Sequence, residues 1–280
     1  MSRLRVLATG PSSTVQDEGR IGLGSLGVGR SGACDRSAYR LANRLVGNSP
    51  GSATIEVTLG GLRVRAEDGD LVIATTGARC PGALPHNAPT LLMAGREAHL
   101  GVPATGLRTY LTVRGGLLAE SVLGSRSTDL LSGLGPTLSV GDLIDVGSAT
   151  ATLPGVDLAA VADPPGGEVT VTVRPGPRHD RIGVRGWAGL LGQVWTVTGD
   201  SNRIGVRLGG GPLSFCDPRE VRSEGLVRGA VQLPPSGLPV LMLADHPVTG
   251  GYPVVAHIDD ADVDRCGQLS PGQSLRLRPG

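Results

Sequence analysis

The hexad Asp-x-x-Arg-Ile-Gly occurs twice in this chain of 280 residues, at positions 17–22 and 200–205. Each copy sits in the same ordered series of landmarks. Gly10-Pro11 precedes the first and Gly176-Pro177 the second. Further on, Pro103-x-x-Gly106-Leu107 is matched by Pro234-x-x-Gly237-Leu238, Gly115-Gly116 by Gly250-Gly251, and Gly141-Asp142-x-Ile144 by Gly272-Gln273-x-Leu275. Any one Gly or Pro corner recurs by chance in β-proteins, but an ordered set argues for duplication. The series predicts two β-rich structural copies, the second with shorter loops.

The hydrophobic pattern agrees. Residues 54–59, 71–74, 109–113, 168–173, 194–198 and 240–244 alternate with period two or form short apolar runs bounded by Gly, Pro or Asp, which are strand signals. The 45 glycines and 21 prolines are spread along the chain, as many tight turns require. One helix stands out: Asp35 is a good N-cap, Ala38, Leu41, Ala42, Leu45 and Val46 follow helical spacing, and Gly47-Asn48 supplies the stop. Short helices are also expected at 121–130 and 260–265. Residues 148–167, small and rich in Pro and Gly, read as a linker between a first domain (1–147) and a second (168–280). The fold class expected is mainly β, two tandem barrel-like halves with a few short helices.

Composition removes several function classes. A net charge of +1 with 2% aromatic residues disfavours nucleic acid and a basic membrane-binding face. No run approaches the roughly 18 apolar residues of a membrane span. No signal peptide is recognised and the four cysteines are widely spaced, so a cytoplasmic protein with reduced thiols is expected. The five histidines form no HxH or HxxxH, and no metal site is assigned. The chain has no lysine, so all 26 basic residues are arginine. That excludes a Walker-type phosphate lysine, a Schiff base and a covalent biotin anchor. A bound phosphate or carboxylate would be met by arginine forks or backbone amides.

Candidate site residues follow from this chemistry. Gln16, Asp17 and Arg20 bring amide, carboxylate and guanidinium into one glycine-rich turn, where Arg20 can clamp an anion and Asp17 orient it; an internal pair that merely fixes the turn is the other reading. Ser31 serves as a hydrogen-bond donor rather than a nucleophile, since no base lies near it in sequence. Asn43 and Asn48, polar on and just after an apolar helix, are expected to bridge it to the Gln16 loop. Glu56 interrupts an apolar strand, either as a site carboxylate or as a solvent-facing residue. In the second half, Arg203 and Arg207 stand four apart, Gln232 lies at a strand, and Gly250, Gly251 and Tyr252 form that half's densest glycine motif, echoing Gly115-Gly116. Catalytic roles are assigned to Asp17, Arg20, Glu56 and Arg203. On this reading Arg20→Ala and Arg203→Ala abolish activity and leave thermal stability nearly unchanged.

Thr14-Val-Gln-Asp-x-Gly-Arg-x-Gly, Ser31-Gly-Ala-x-Asp35, Ala42-Asn-x-Leu-Val-Gly-Asn48, Tyr110-Leu-x-Val-Arg-Gly-Gly116, Ser201-x-Arg203-x-Gly-x-Arg-Leu208 and Thr249-Gly-Gly-Tyr-Pro253 together resemble the allophanate hydrolase subunit 2 family. It is also known as the biotin-dependent carboxyltransferase or KipA-like family, and as that of the 5-oxoprolinase C-type subunits. Cys34 stands where the family usually has Met, and Asn202 where it usually has Asp. The resemblance implies two cyclophilin-like β-barrels, a subunit 1 (KipI-like) partner and a LamB/YcsF-type subunit. It implies an ATP- and Mg²⁺-dependent 5-oxoprolinase that opens 5-oxo-L-proline to L-glutamate, with the ATP site on this chain, on a partner or between them. Its alternatives are the carboxyltransferase part of a urea-type carboxylase acting on carboxybiotin, and a non-catalytic Kip-type regulator. The Ser-Lys amidase chemistry of true allophanate hydrolases cannot come from a lysine-free chain.

Overall fold

The computed structural model describes every residue but Met1, Ala83, Thr150 and Pro218. The chain groups into two compact units: Met1–Ile21, Ser31–Asp129 and Gly133–Pro164 in the first, and Gly22–Arg30, Leu130–Ser132 and Pro165–Gly280 in the second.

The first unit carries β1 (Arg3–Thr9), β2 (Ser12–Gln16), α1 (Arg36–Leu45), β3 (Thr54–Thr58), β4 (Leu62–Glu67), β5 (Leu71–Gly77), β6 (Pro89–Leu92), β7 (Glu97–His99), β8 (Arg108–Val113) and β9 (Leu143–Asp145). They form a four-stranded sheet, β7-β4-β1-β9, and a five-stranded sheet, β2-β3-β8-β5-β6. The inward sides of both supply one core, including Leu4, Val64, Ile55, Ile73 and Leu111. On the opposite side of the larger sheet lies α1, where Ala38, Tyr39 and Ala42 pack with Tyr110. Its start is set by Asp35, whose carboxylate accepts from the Ala38 amide at 2.9 Å. Replacing Asp35 by alanine is expected to cost about 1 kcal/mol of stability, the usual worth of a side-chain N-cap, measurable by urea unfolding.

The second unit carries β10 (Val169–Pro175), α2 (Gly183–Gly192), β11 (Val194–Val197), β12 (Gly205–Gly209), β13 (Glu224–Gly225), β14 (Ala230–Gln232), β15 (Val240–Met242), β16 (Thr249–Gly250), β17 (Val254–Ile258), α3 (Asp260–Cys266) and β18 (Ser274–Pro279). Seven strands close a barrel in the order β10-β17-β14-β15-β12-β11-β18, while β13 and β16 make a separate ribbon. The barrel closes through β10 and β18, which run parallel with Val169 opposite Leu275. Closure removes the exposed sheet edges that otherwise invite pairing with other chains. The protein is mainly β.

One helix expectation needs correction, and one helix carries no expectation at all. Residues 121–130 form no helix; they hold isolated bridges, Val122 to Ser125 and Asp129 to Leu134. Leu123 and Gly124 both take positive φ, which breaks any helical run there. Conversely, α2 has no sequence signal, because Gly183, Gly186, Gly189 and Gly192 disguise it as loop. Each glycine inside a helix costs about 1 kcal/mol relative to alanine. Packing compensates: Leu190 is fully buried, its carbonyl accepts from the Trp195 indole at 3.0 Å, and at Gly186 a Cβ would lie 2.4 Å from Ile182.

Candidate functional site

The two hexad copies place their arginines alike and their acids differently. Arg20 is 2% exposed. Its Nε donates to the Val122 carbonyl at 3.1 Å and its Nη2 to that of Ser127 at 2.7 Å. Its buried Nη1 has no hydrogen-bond partner, and neither has Gln16 Oε1. Asp17 does not orient Arg20. Its carboxylate instead accepts from the Gly19 amide at 2.8 Å and from the Ser125 and Ser127 hydroxyls and the Arg126 amide, each at 2.6 Å. Gln16 donates to the Thr128 carbonyl at 2.9 Å, and Ser31, held at φ +56, donates to the same carbonyl at 3.2 Å. Gln16, Asp17, Arg20 and Ser31 are therefore brought together, around residues 122–128, and all four secure that segment.

In the second unit Arg203 forks onto Asp245, Nε and Nη2 each donating to one carboxylate oxygen at 2.9 Å. Arg203 is 4% exposed and Asp245 1%. Asp245 also accepts from the Leu130 amide at 3.3 Å. The expectation of an open anion clamp at Arg203 is corrected, since a carboxylate of the chain itself fills the fork. Asp200 is exposed. The turn's acceptor is Asn202, whose amide oxygen takes the Ile204 amide at 2.8 Å. Arg207 is exposed on β12 between buried Val206 and Leu208.

Glu56 does not face solvent. It is 1% exposed and accepts from the Tyr110 hydroxyl at 2.7 Å and the Cys34 amide at 2.9 Å, with Arg108 Nε 3.3 Å from its other oxygen. Burial first, and the Glu56 charge second, push the Tyr110 phenol well above its ordinary range, so it stays protonated and donates. Tyr110 in turn accepts from the Asp35 amide at 2.8 Å, which joins this network to the start of α1.

Asn43 and Asn48 tie α1 to β8 and not to the Gln16 loop, a second correction. Asn43 Oδ1 accepts from Thr112 and from Asn48, and Asn48 Oδ1 takes the Gly115 amide at 2.7 Å. Buried amides satisfy themselves with the nearest strand end, here the turn after β8. Gly115 and Gly116 hold positive φ, and a Cβ at Gly115 would lie 1.9 Å from the Gly147 carbonyl, so this pair serves the turn.

The remaining residues meet around a cleft of about 410 Å³ in the second unit, lined by Phe215, Arg219, Glu220, Gly251, Tyr252 and Pro253 among others. Gln232, 4% exposed, donates to the Tyr252 carbonyl at 3.0 Å and fixes that wall. The same glycine motif lends Thr249 to a second hollow of about 420 Å³ with Gly24, Gly27, Ser132 and His246. Ser125, Ser127 and Arg108 carry no sequence signal for their roles. Asp245, also missed by motif reasoning, has a local one, an acid closing the apolar run 240–244.

The profile of the family described as "Carboxyltransferase domain, subdomain A and B" matches residues 26–279. The chain belongs to this family. Within it, the chain is 35% identical to the C-type subunit of the Escherichia coli 5-oxoprolinase, over 98% of its own length and 90% of that protein's. It is 30% identical to the urea amidolyase of Lachancea kluyveri, covering 98% of this chain and 17% of the relative. Among solved structures, the crystal structure of TTHA0988 superposes with a TM-score of 0.90 at 32% identity, over 99% of this chain and 55% of that one. This carboxyltransferase-family chain thus spans little more than half of that structural relative. The K. lactis urea amidolyase superposes with a TM-score of 0.89 at 28% identity, over 99% and 18% of the two chains. Among the described residues no helix is long and apolar enough to cross a membrane.

Proposed function

We propose that this chain is the C-type subunit of an ATP-dependent 5-oxoprolinase, which opens the 5-oxo-L-proline lactam to L-glutamate together with a subunit 1 (KipI-like) protein and a LamB/YcsF-type subunit. The observation carrying this reading is the near end-to-end likeness to the C-type subunit of a 5-oxoprolinase, at higher identity than to the urea amidolyases. A lactam is resonance-stabilised, so phosphorylating its oxygen makes the carbon electrophilic enough for water to attack.

ATP would supply that activation, and we place it on a partner subunit. Of the arginines considered as anion clamps, Arg203 is filled by Asp245 and Arg20 spends Nε and Nη2 on carbonyls with its Nη1 buried, which leaves the exposed Arg207. Among the described residues no group of three or more His, Cys, Asp or Glu is placed to hold a metal ion. Mg²⁺ carried by ATP needs only one or two carboxylates besides the phosphates. This chain's own contribution is to bind and orient the organic substrate.

The test is co-expression with both partner proteins and an assay of ATP-dependent glutamate release from 5-oxoproline. Release that requires all three chains is expected. Carboxyl transfer from carboxybiotin to urea, without glutamate release, would establish the carboxyltransferase alternative, which the family likeness to urea amidolyases favours.

A further inference from the structure

We infer that the cleft walled by Phe215, Arg219, Glu220, Gly251, Tyr252 and Pro253 is a binding subsite for a small cyclic carboxylate whose ring nitrogen donates a hydrogen bond. This deepens the 5-oxoprolinase reading and rests on it for the ligand's identity.

Aromatic residues are scarce: one Phe, two Trp and three Tyr. Three of the six, Tyr39, Tyr110 and Trp195, are sealed in cores. Two of the remaining three line this one cleft, and Tyr252 leaves half its surface open. Its backbone is nonetheless fixed by Gln232. Aromatic and proline faces suit a flat five-membered ring.

The polar wall is built as well. Asp217 is gripped by Arg181 at 2.7 Å and by Arg219 at 2.7 Å, two guanidiniums on one carboxylate. Hydrogen bonds from Arg219 hold the Asp217 carboxyl well below the usual carboxylate range. Arg219 uses Nε and Nη2 for Asp217, and its side chain is 83% exposed. Its Nη1 edge can meet a ligand carboxylate, while Glu220 offers an acceptor for a ring N–H.

The two glycines of the motif differ in a telling way. At Gly250 a Cβ would lie 2.6 Å from Gln232 Nε2 and 2.8 Å from Leu226, so packing demands glycine there. At Gly251 nothing lies closer than 3.9 Å and φ is not positive, so neither packing nor backbone demands it. Its bare backbone faces the cleft, where a ligand can approach closely.

The experiment measures 5-oxoproline binding by ligand-observed NMR, on the full chain and on its complex with the partner subunits, for wild type, Arg219→Gln, Gly251→Ala and Tyr252→Ala. Each substitution is expected to weaken binding about tenfold or more while leaving the melting temperature unchanged. In a complex that turns over 5-oxoproline, KM rises in the same variants. Turnover with KM unmoved by all three substitutions overturns the subsite, as does the absence of variant-sensitive binding in both chain and complex. Variant-sensitive binding without turnover upholds the subsite and overturns the 5-oxoprolinase reading instead.

Discussion

Arg203→Ala will lower the melting temperature by roughly 10 °C, and activity will fall only as far as the folded fraction does. The reason is the carboxylate left behind. Asp245 is 1% exposed and holds Arg203 bidentately at 2.9 Å, so removing the guanidinium strands a buried negative charge. Breaking a buried pair from one side costs about 3–5 kcal/mol, and 1 kcal/mol shifts the midpoint by about 2–4 °C in units of this size. Asp245→Ala will cost a similar amount. The double variant Arg203→Met, Asp245→Leu will recover most of it, since apolar replacement of a whole buried pair is often neutral. Thermal melts of the three variants decide the matter. A melting temperature held within about 1 °C of wild type in Arg203→Ala, with turnover lost, would restore Arg203 as a ligand clamp.

That outcome reverses the expectation drawn from the hexad alone, and the reversal has a physical cause. The hexad displays an arginine in a glycine-rich corner, which is what an anion clamp looks like locally. Whether the fork is open depends on residues far away in the chain. Asp245 lies 42 positions downstream of Arg203, and the carbonyls that occupy Arg20 belong to Val122 and Ser127, 102 and 107 positions away. Nothing in a six-residue window encodes those partners. Both corners are thus fasteners, each tying its turn to a remote segment of its own unit. That common role, not common chemistry, is what the repeat preserves.

Strands and α1 were legible because their signals are local. Period-two alternation or a short apolar run marks β3, β5, β8, β10, β11 and β15, and Asp35 caps α1 as its position implies. Alternation fails as a guide to exposure where a sheet is covered on both sides. In β3, Ile55 and Val57 face the common core while Thr54 and Glu56 are also buried, on the side α1 covers. Glu56 was therefore open to a solvent-facing reading that the second layer forbids. The cleft around Tyr252 was half legible. Gly250, Gly251 and Tyr252 announced themselves by composition, whereas Phe215, Arg219 and Glu220 lie in a weakly patterned stretch that acquires meaning only when folded beside them.

Glu56 supports the other large prediction. Its carboxylate is the hub of a buried network that joins β3, β8 and the entry to α1: the Tyr110 hydroxyl at 2.7 Å, the Cys34 amide at 2.9 Å and Arg108 at 3.3 Å. Glu56→Ala takes the acceptor from two buried donors and the countercharge from a guanidinium only 2% exposed. An expected loss of about 3–5 kcal/mol follows, at the level of a broken buried pair, with the Cys34–Asp35 corner and the first turn of α1 loosening most. Glu56→Gln keeps the volume and an oxygen able to accept from Tyr110, so its cost should be markedly smaller. Tyr110→Phe removes the donor to Glu56 and the acceptor of the Asp35 amide but leaves the charge pair intact, at about 1–3 kcal/mol. Hydrogen exchange at the Ala38 and Tyr39 amides reads the local effect and urea unfolding the global one. If Glu56 acts instead on substrate, Glu56→Gln will abolish turnover while unfolding and exchange stay at wild-type values. The structural reading requires the order Ala, then Gln, then wild type in stability, with turnover following that order.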